Sequence, residues 1–185
     1  MLIREATPED AETIALYILL AMEEIVYQFI GEKSTDKAKQ FLTNLIRKKA
    51  NQYSYENCWV MELNKELVAV AVVYDGALLQ TLRAPVAQEI KAMFNKDFNP
   101  EDETETGEFY IDSIAVSPQQ QGQGFGAKLL QFLIDEYVTK RNETLGLLVD
   151  KENPNAKKLY LKLGFKMVGE KTLAEKRMEH LQFRN

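Results

Sequence analysis

The chain has 185 residues, 45% of them hydrophobic and 28% charged, with a formal net charge of −5. That apolar share supports a globular core and excludes wholesale disorder, and the length suits one domain spanning residues 1–185. Acidic and basic residues are interspersed, so the clustered cationic surface on which nucleic-acid binding rests is missing and no nucleic-acid partner is expected.

Cys58 is the single cysteine, which excludes an intrachain disulfide, and no CxxC or Cys/His cluster is present, so no metal is expected. A thiol nucleophile would need a base, and the one histidine is His180. Nothing around either residue supports that pairing, and the alternative is a buried structural thiol. The N-terminal residues carry charge where a signal peptide has its apolar stretch. No apolar run is read as approaching the ~20 residues that span a bilayer. A cytoplasmic protein with no membrane partner is the expectation.

In chain order, Leu2 to Ala6 reads as a strand, and Thr7-Pro8-Glu9-Asp10 as a helix start with Thr7 at the N-cap and Pro8 at the first helical position. Ile14, Ile18, Ala21, Ile25 and Phe29 recur at helical spacing and predict an amphipathic helix ending near Gly31. A second helix is predicted from Ser34 to about Ala50, with Ala38, Phe41, Leu42 and Leu45 inward. Cys58 to Leu63 and Leu67 to Tyr74 are β-rich and joined by Asn64-Lys65, a hairpin turn. From Asp75 to Gly107 the pattern is weak. It holds a helix over Val86 to Phe94 and an acidic loop from Asn99 to Gly107, read as a surface excursion in preference to a substrate-side lid.

Beyond this the pattern sharpens: a strand over Phe109 to Val116, a helix from Gly124 to about Lys140, and a strand over Leu145 to Val149. A short helix over Asn155 to Leu163 and closing strands over Phe165 to Gly169 and Met178 to Phe183 complete the chain. The expected fold is α/β (α+β): a mixed, mostly antiparallel sheet of six to seven strands with helices on both faces.

The informative segment is Ile111 to Leu130, where a strand enters a turn marked by Pro118 and glycine then stands at Gly122, Gly124 and Gly126 before a helix. Glycines let successive N–H groups converge, and the helix start adds unpaired amides and a positive dipole, which together make a cradle for a pyrophosphate. The alternative is a glycine-rich loop that merely turns the chain. The ATP-type loop would need Gly-Lys-Ser/Thr, which is absent, and Gly122-Gln123-Gly124 matches the dinucleotide pattern only in part.

Gln121-Gly122-Gln123-Gly124-Phe125-Gly126 resembles the [Gln/Arg]-x-x-Gly-x-[Gly/Ala] signature of the GNAT superfamily of N-acyltransferases. About thirty residues on, Asn153-Pro154-Asn155-Ala156-Lys157-Lys158-Leu159-Tyr160 through Gly164-Phe165 is similar to that family's Asn-x-x-Ala-x-x-Leu-Tyr-x-x-x-Gly-Phe block. The two blocks together place a cofactor-binding core at about residues 108–168. The resemblance implies acetyl-CoA as co-substrate, without a metal, and direct transfer of its acetyl group to a small-molecule or peptide amine. A homodimer is compatible with it.

The resemblance also implies roles for particular residues. Ile114, Ala115 and Val116 would meet the pantetheine arm, Gln121, Gly122, Gln123, Gly124, Phe125, Gly126 and Ala127 the pyrophosphate, Asn153 the pantetheine region, and Tyr160 the sulfur. Asn153 also suits a turn residue beside Pro154, and Tyr160 a core aromatic beside Leu159 and Leu163. A phenol of pKa ~10 facing a thiol of ~8.5 makes Tyr160 a hydrogen-bond donor first and a proton donor second, since full transfer is uphill by roughly 2 kcal/mol. An amine of pKa ~10.4 is only about 0.1% neutral near pH ~7.4, so a base is useful. Where some members carry a glutamate late on the fifth strand, this chain has Leu148. Asp112 and Glu108, on one face of the fourth strand by period-two counting, are the candidates, with ordinary strand carboxylates as the alternative. The competing function is an acyl-CoA-binding sensor or scaffold without turnover.

Overall fold

The computed structural model describes residues 1–185. The first strand, β1 (Leu2–Glu5), leads into a short turn at Pro8–Asp10, where the Asp10 carboxylate accepts from the Thr7 amide at 2.8 Å and from Arg4 at 2.8 and 3.0 Å. Helix α1 (Ala11–Ile30) follows and ends at Gly31, whose φ of 79° is the left-handed closure that glycine allows. At Met22 (φ −146°, ψ 37°) the backbone leaves helical geometry. That break shifts the phase of the buried stripe: Ile14 and Ile18 face the core before it and Val26, Phe29 and Ile30 after it, while Ala21, expected inward, is exposed.

Helix α2 (Thr35–Ile46) is capped by Ser34, whose side chain accepts from the Lys37 amide, and it buries Ala38, Phe41, Leu42 and Leu45 as its spacing requires. It stops short of the expected Ala50, which sits at φ 56° in the connection that follows. Strands β2 (Cys58–Leu63) and β3 (Glu66–Asp75) form the expected hairpin, with Asn64 and Lys65 at φ 53° and 68°, the pair of left-handed residues a tight two-residue turn demands.

Helix α3 (Leu79–Phe94) starts earlier than the expected Val86 and carries Pro85 inside it. The following stretch corrects the reading of a surface excursion. Glu103 and Thr104 are only 4% and 7% exposed, and the buried Arg83 of α3 bonds the Pro100 and Glu101 carbonyls and the Asp102 and Glu103 carboxylates. Most of the acidic segment stays exposed, and one buried arginine draws its middle, Glu103 and Thr104, inside.

The remaining elements are β4 (Phe109–Val116), α4 (Phe125–Leu133), β5 (Leu145–Asp150), α5 (Pro154–Leu163), β6 (Lys166–Leu173) and β7 (Lys176–Phe183). Helix α4 runs on as wider π turns over Ile134–Lys140. The seven strands form one sheet in the order β1-β2-β3-β4-β5-β7-β6, antiparallel except at β4/β5. Helices α1 to α3 pack one face through Ile18, Phe41 and Leu42 against Val60, Val70 and Val72. Helices α4 and α5 pack the other through Leu129, Leu130 and Tyr160 against Met61, Ala71 and Leu147. Both faces of β3 are therefore covered, which is why its sequence is continuously apolar.

Within the helical stretch Pro8–Ile30 an 18-residue window with a mean hydropathy of 1.6 is apolar enough to span a bilayer by length and composition, although Glu12, Glu23 and Glu24 leave no uninterrupted apolar run near ~20 residues. Its Ile14, Ile18, Val26 and Ile30 are packed into the core described above.

Candidate active site

Strands β4 and β5 pair only at Phe109/Leu145, Tyr110/Gly146 and Ile111/Leu147. Beyond Ile111 they diverge, and β4 stays bonded to β3 alone, so one edge of Asp112–Val116 has no strand beside it. The β3/β4 register slips between Val72 and Val73, with Val72 opposite Ser113 and Val73 opposite Ile111, which makes Asp112 the extra residue of a β-bulge. A bulge bends its strand and re-aims its side chain. A cavity of about 1180 Å³ opens in the splay, walled by β4 from Ile111, by β5 from Leu147, and by residues around the break in α1.

One end of the cavity is the glycine turn. Gly122 and Gly124 take φ of 78° and 82°, and a Cβ on either would meet nothing within 4 Å. No backbone N–H from Gln121 to Ala127 donates within the protein, and the first such bond of α4 runs from Lys128 to the Gly124 carbonyl at 3.0 Å. This is a run of free donors at a helix N-terminus, where the dipole adds positive potential. Ile114, Ala115, Val116, Gln121, Gly122 and Gly126 line the cavity. Gln123, Gly124, Phe125 and Ala127 belong to the turn without lining it, and the Phe125 ring is buried in the core.

Asn153 and Tyr160 line the same cavity from the start and middle of α5. Asn153 is the N-cap, its Oδ1 accepting from the Ala156 amide at 3.1 Å. Tyr160 is 9% exposed, beside Phe165, and burial pushes its phenol up to about 12.

At the opposite end the bulge delivers Asp112 into a buried polar cluster. Its Oδ1 accepts from Gln52 Nε2 at 3.0 Å and from the Tyr74 hydroxyl at 3.2 Å. The same two donors reach Glu103 Oε1 at 2.7 and 3.2 Å, while Arg83 holds Glu103 Oε2. Asp112 Oδ2 and the Tyr53 hydroxyl are shut off from solvent with no hydrogen-bond partner, and both residues line the cavity. Burial first, and the nearby Glu103 charge second, push the Asp112 carboxyl up to about 7. Glu23 and Glu24 of α1 also line the cavity, whose one lining cation, Lys176, pairs with Asp150 at 3.3 Å.

Glu108, the other carboxylate singled out in the sequence, is not on the cavity wall. It is 1% exposed, its Oε2 lying 2.8 Å from His180 Nε2 and 2.7 Å from Gln182 Nε2 and its Oε1 accepting from the Glu105 amide at 3.0 Å. Cys58 on β2 and His180 on β7 have three strands between them, and burial pushes the Cys58 thiol up. Gln52, Tyr53, Tyr74 and Glu103 were not singled out in the sequence. They come from a strand and two irregular connections, and no local motif marks them.

The Acetyltransferase (GNAT) family model matches residues 22–165. Among solved structures, an acetyltransferase is 30% identical with a TM-score of 0.83, covering 100% of this chain and 99% of its own. An N-acetyltransferase from Staphylococcus aureus Mu50 is 23% identical with a TM-score of 0.88, covering 99% and 100%. Mutant forms of the spermidine/spermine N-acetyltransferase SpeG from Vibrio cholerae are 16% identical with a TM-score of 0.56, covering 98% and 93%. The last two, at that identity, attest the fold alone. No match was found among curated proteins. The family match over most of the chain, together with the splayed strands and the turn of free amides, makes the chain a member of the GNAT family, an acetyl-CoA-dependent N-acetyltransferase.

Proposed function

We propose that acetyl-CoA lies in the β4/β5 splay and that a primary amine attacks its thioester directly, with Asp112 taking the proton. The observation that carries this reading is continuity: the free edge of Asp112–Val116 leads straight to the unpartnered amides of Gln121–Ala127. An arm with two amides can lie along the first as an added strand, and a pyrophosphate can accept from the second. Charge-assisted bonds of that kind contribute roughly 1.5–3 kcal/mol each. Asn153 supports the same placement, because capping occupies only its Oδ1.

An alkylammonium first gives one proton to Asp112 Oδ2. Its nitrogen lone pair then forms the C–N bond at the carbonyl carbon, the negative charge developing on oxygen near the Val116 amide. The C–S bond breaks, its electron pair leaves on sulfur, and the second nitrogen proton reaches that sulfur to give the thiol. Asp112 later returns its proton to solvent. A carboxyl at about 7 suits the task, being about half ionised at neutral pH and basic enough to take a proton. Tyr160 serves the sulfur as a hydrogen-bond donor. With the phenol at about 12 against a thiol of ~8.5, full transfer would be uphill by about 5 kcal/mol. Acetyl-CoA-dependent thiol release with a panel of amines tests the reading. An enzyme that binds CoA but releases no thiol with any amine would be the sensor, and the proposal would be wrong.

A further inference from the structure

We infer that Tyr53 and Asp112 form the acceptor-nitrogen subsite, with Tyr53 Oη accepting one N–H of a primary alkylammonium whose transferred proton passes to Asp112 Oδ2. This inference rests on the transfer reading above and adds a residue that no family motif touches.

Tyr53 is 1% exposed and lies in the connection between α2 and β2. A hydroxyl shut away without a partner costs about 1–3 kcal/mol, and proteins rarely tolerate one idle. Asp112 Oδ2 is in the same condition on the same cavity. Two unsatisfied buried oxygens on residues of one cavity lack a partner, and a single group that serves both as donor brings at least two hydrogens.

The surroundings narrow its chemistry. Asp112 cannot swing to satisfy itself, because Gln52 and Tyr74 hold its other oxygen, and both are in turn held by Glu103. Arg83 answers Glu103, and the remaining group close by, Tyr110, brings no charge. The cluster is thus left with one carboxylate lacking a cation. An alcohol would bring one hydrogen and no charge, whereas a primary ammonium brings three hydrogens and the opposite charge. Burial raises the Tyr53 phenol well above its ordinary range, so it stays neutral and keeps its lone pairs available.

The test uses the full chain and Tyr53→Phe, which removes one oxygen and no packing volume. Propylamine, octylamine, phenylethylamine and peptides bearing free α- or ε-amines are screened with the wild type for thiol release, and the best of them becomes the probe. Tyr53→Phe is expected to raise the KM for that amine at least about 10-fold, to leave the KM for acetyl-CoA within about twofold, and to melt no lower than the wild type. An unchanged amine KM in the variant, with the wild type active, overturns the subsite and leaves the transfer reading standing. A lower melting temperature also overturns it, because the hydroxyl would then have a partner inside the protein. A wild type inactive on every amine overturns the transfer reading and this inference with it.

Discussion

The Tyr74 hydroxyl lies 3.2 Å from Asp112 Oδ1, on the strand opposite the bulge that sets Asp112 out of register. It has one hydrogen and faces Glu103 Oε1 at the same 3.2 Å, so it only partly offsets the burial and the Glu103 charge that hold the Asp112 carboxyl at about 7. As Asp112 must be ionised to take a proton, kcat/KM should fall as pH drops below about 7. Asp112→Asn should lower kcat about 100-fold and abolish that acidic limb. A pH–rate profile of both proteins checks it.

The same group has a consequence for stability. Its folded-state pKa is raised, so its stabilising contribution is complete below the ordinary carboxyl range of ~3.9 and is lost as pH rises through about 7. Above that, the wild type carries a buried charge that Asp112→Asn does not. The variant should melt higher than the wild type near pH ~8, with the gap closing toward pH ~5, in thermal scans at the two values.

Tyr160 is held by packing alone, since burial is the one cause of its raised phenol. Tyr160→Phe keeps that packing and removes the donor. It should lower kcat by about 10-fold or more while changing the KM for acetyl-CoA less, measured by steady-state thiol release.

The glycine turn separates shape from space. Gly124 has open room for a methyl group, but at φ 82° a side chain is strained by about 1–2 kcal/mol. Gly124→Ala should therefore re-aim the amides rather than collide with anything. CoA affinity, by calorimetry, should weaken about 10-fold, with the melting temperature lowered by roughly 2–8 °C from the strain alone.

Gly146 presents the opposite case. A Cβ there would lie 2.0 Å from Glu108 Oε2, the atom that bonds His180 and Gln182. Gly146→Ala should break a buried polar network and cost about 3 kcal/mol or more, read as a lower urea midpoint.

The parts of this molecule that were legible are those written locally. Asn64-Lys65 demanded a tight turn, Phe109–Val116 is rich in the aromatic and β-branched residues of a strand, and the glycines after Pro118 announced free amides. The break at Met22 was not legible, since neither proline nor glycine marks it and its effect is a change of phase. The first turns of α3 were not legible, and a proline, Pro85, sits inside that helix. The cluster around Asp112 was hidden for another reason. Gln52 and Glu103 reach it across 60 and 9 residues of chain, and such meetings depend on how the elements pack. Glu108 was legible as a carboxylate on the right face but not as one already claimed by His180.

The short ladder between β4 and β5 gives the sheet an unfinished seam at its centre, where most sheets are most tightly sewn. A ligand seated there would act as a removable eighth strand, its amides standing in for rungs that the polypeptide leaves out. The two halves, β1 to β4 and β5 to β7, would then be joined for the length of one catalytic cycle and loosened with each departing thiol.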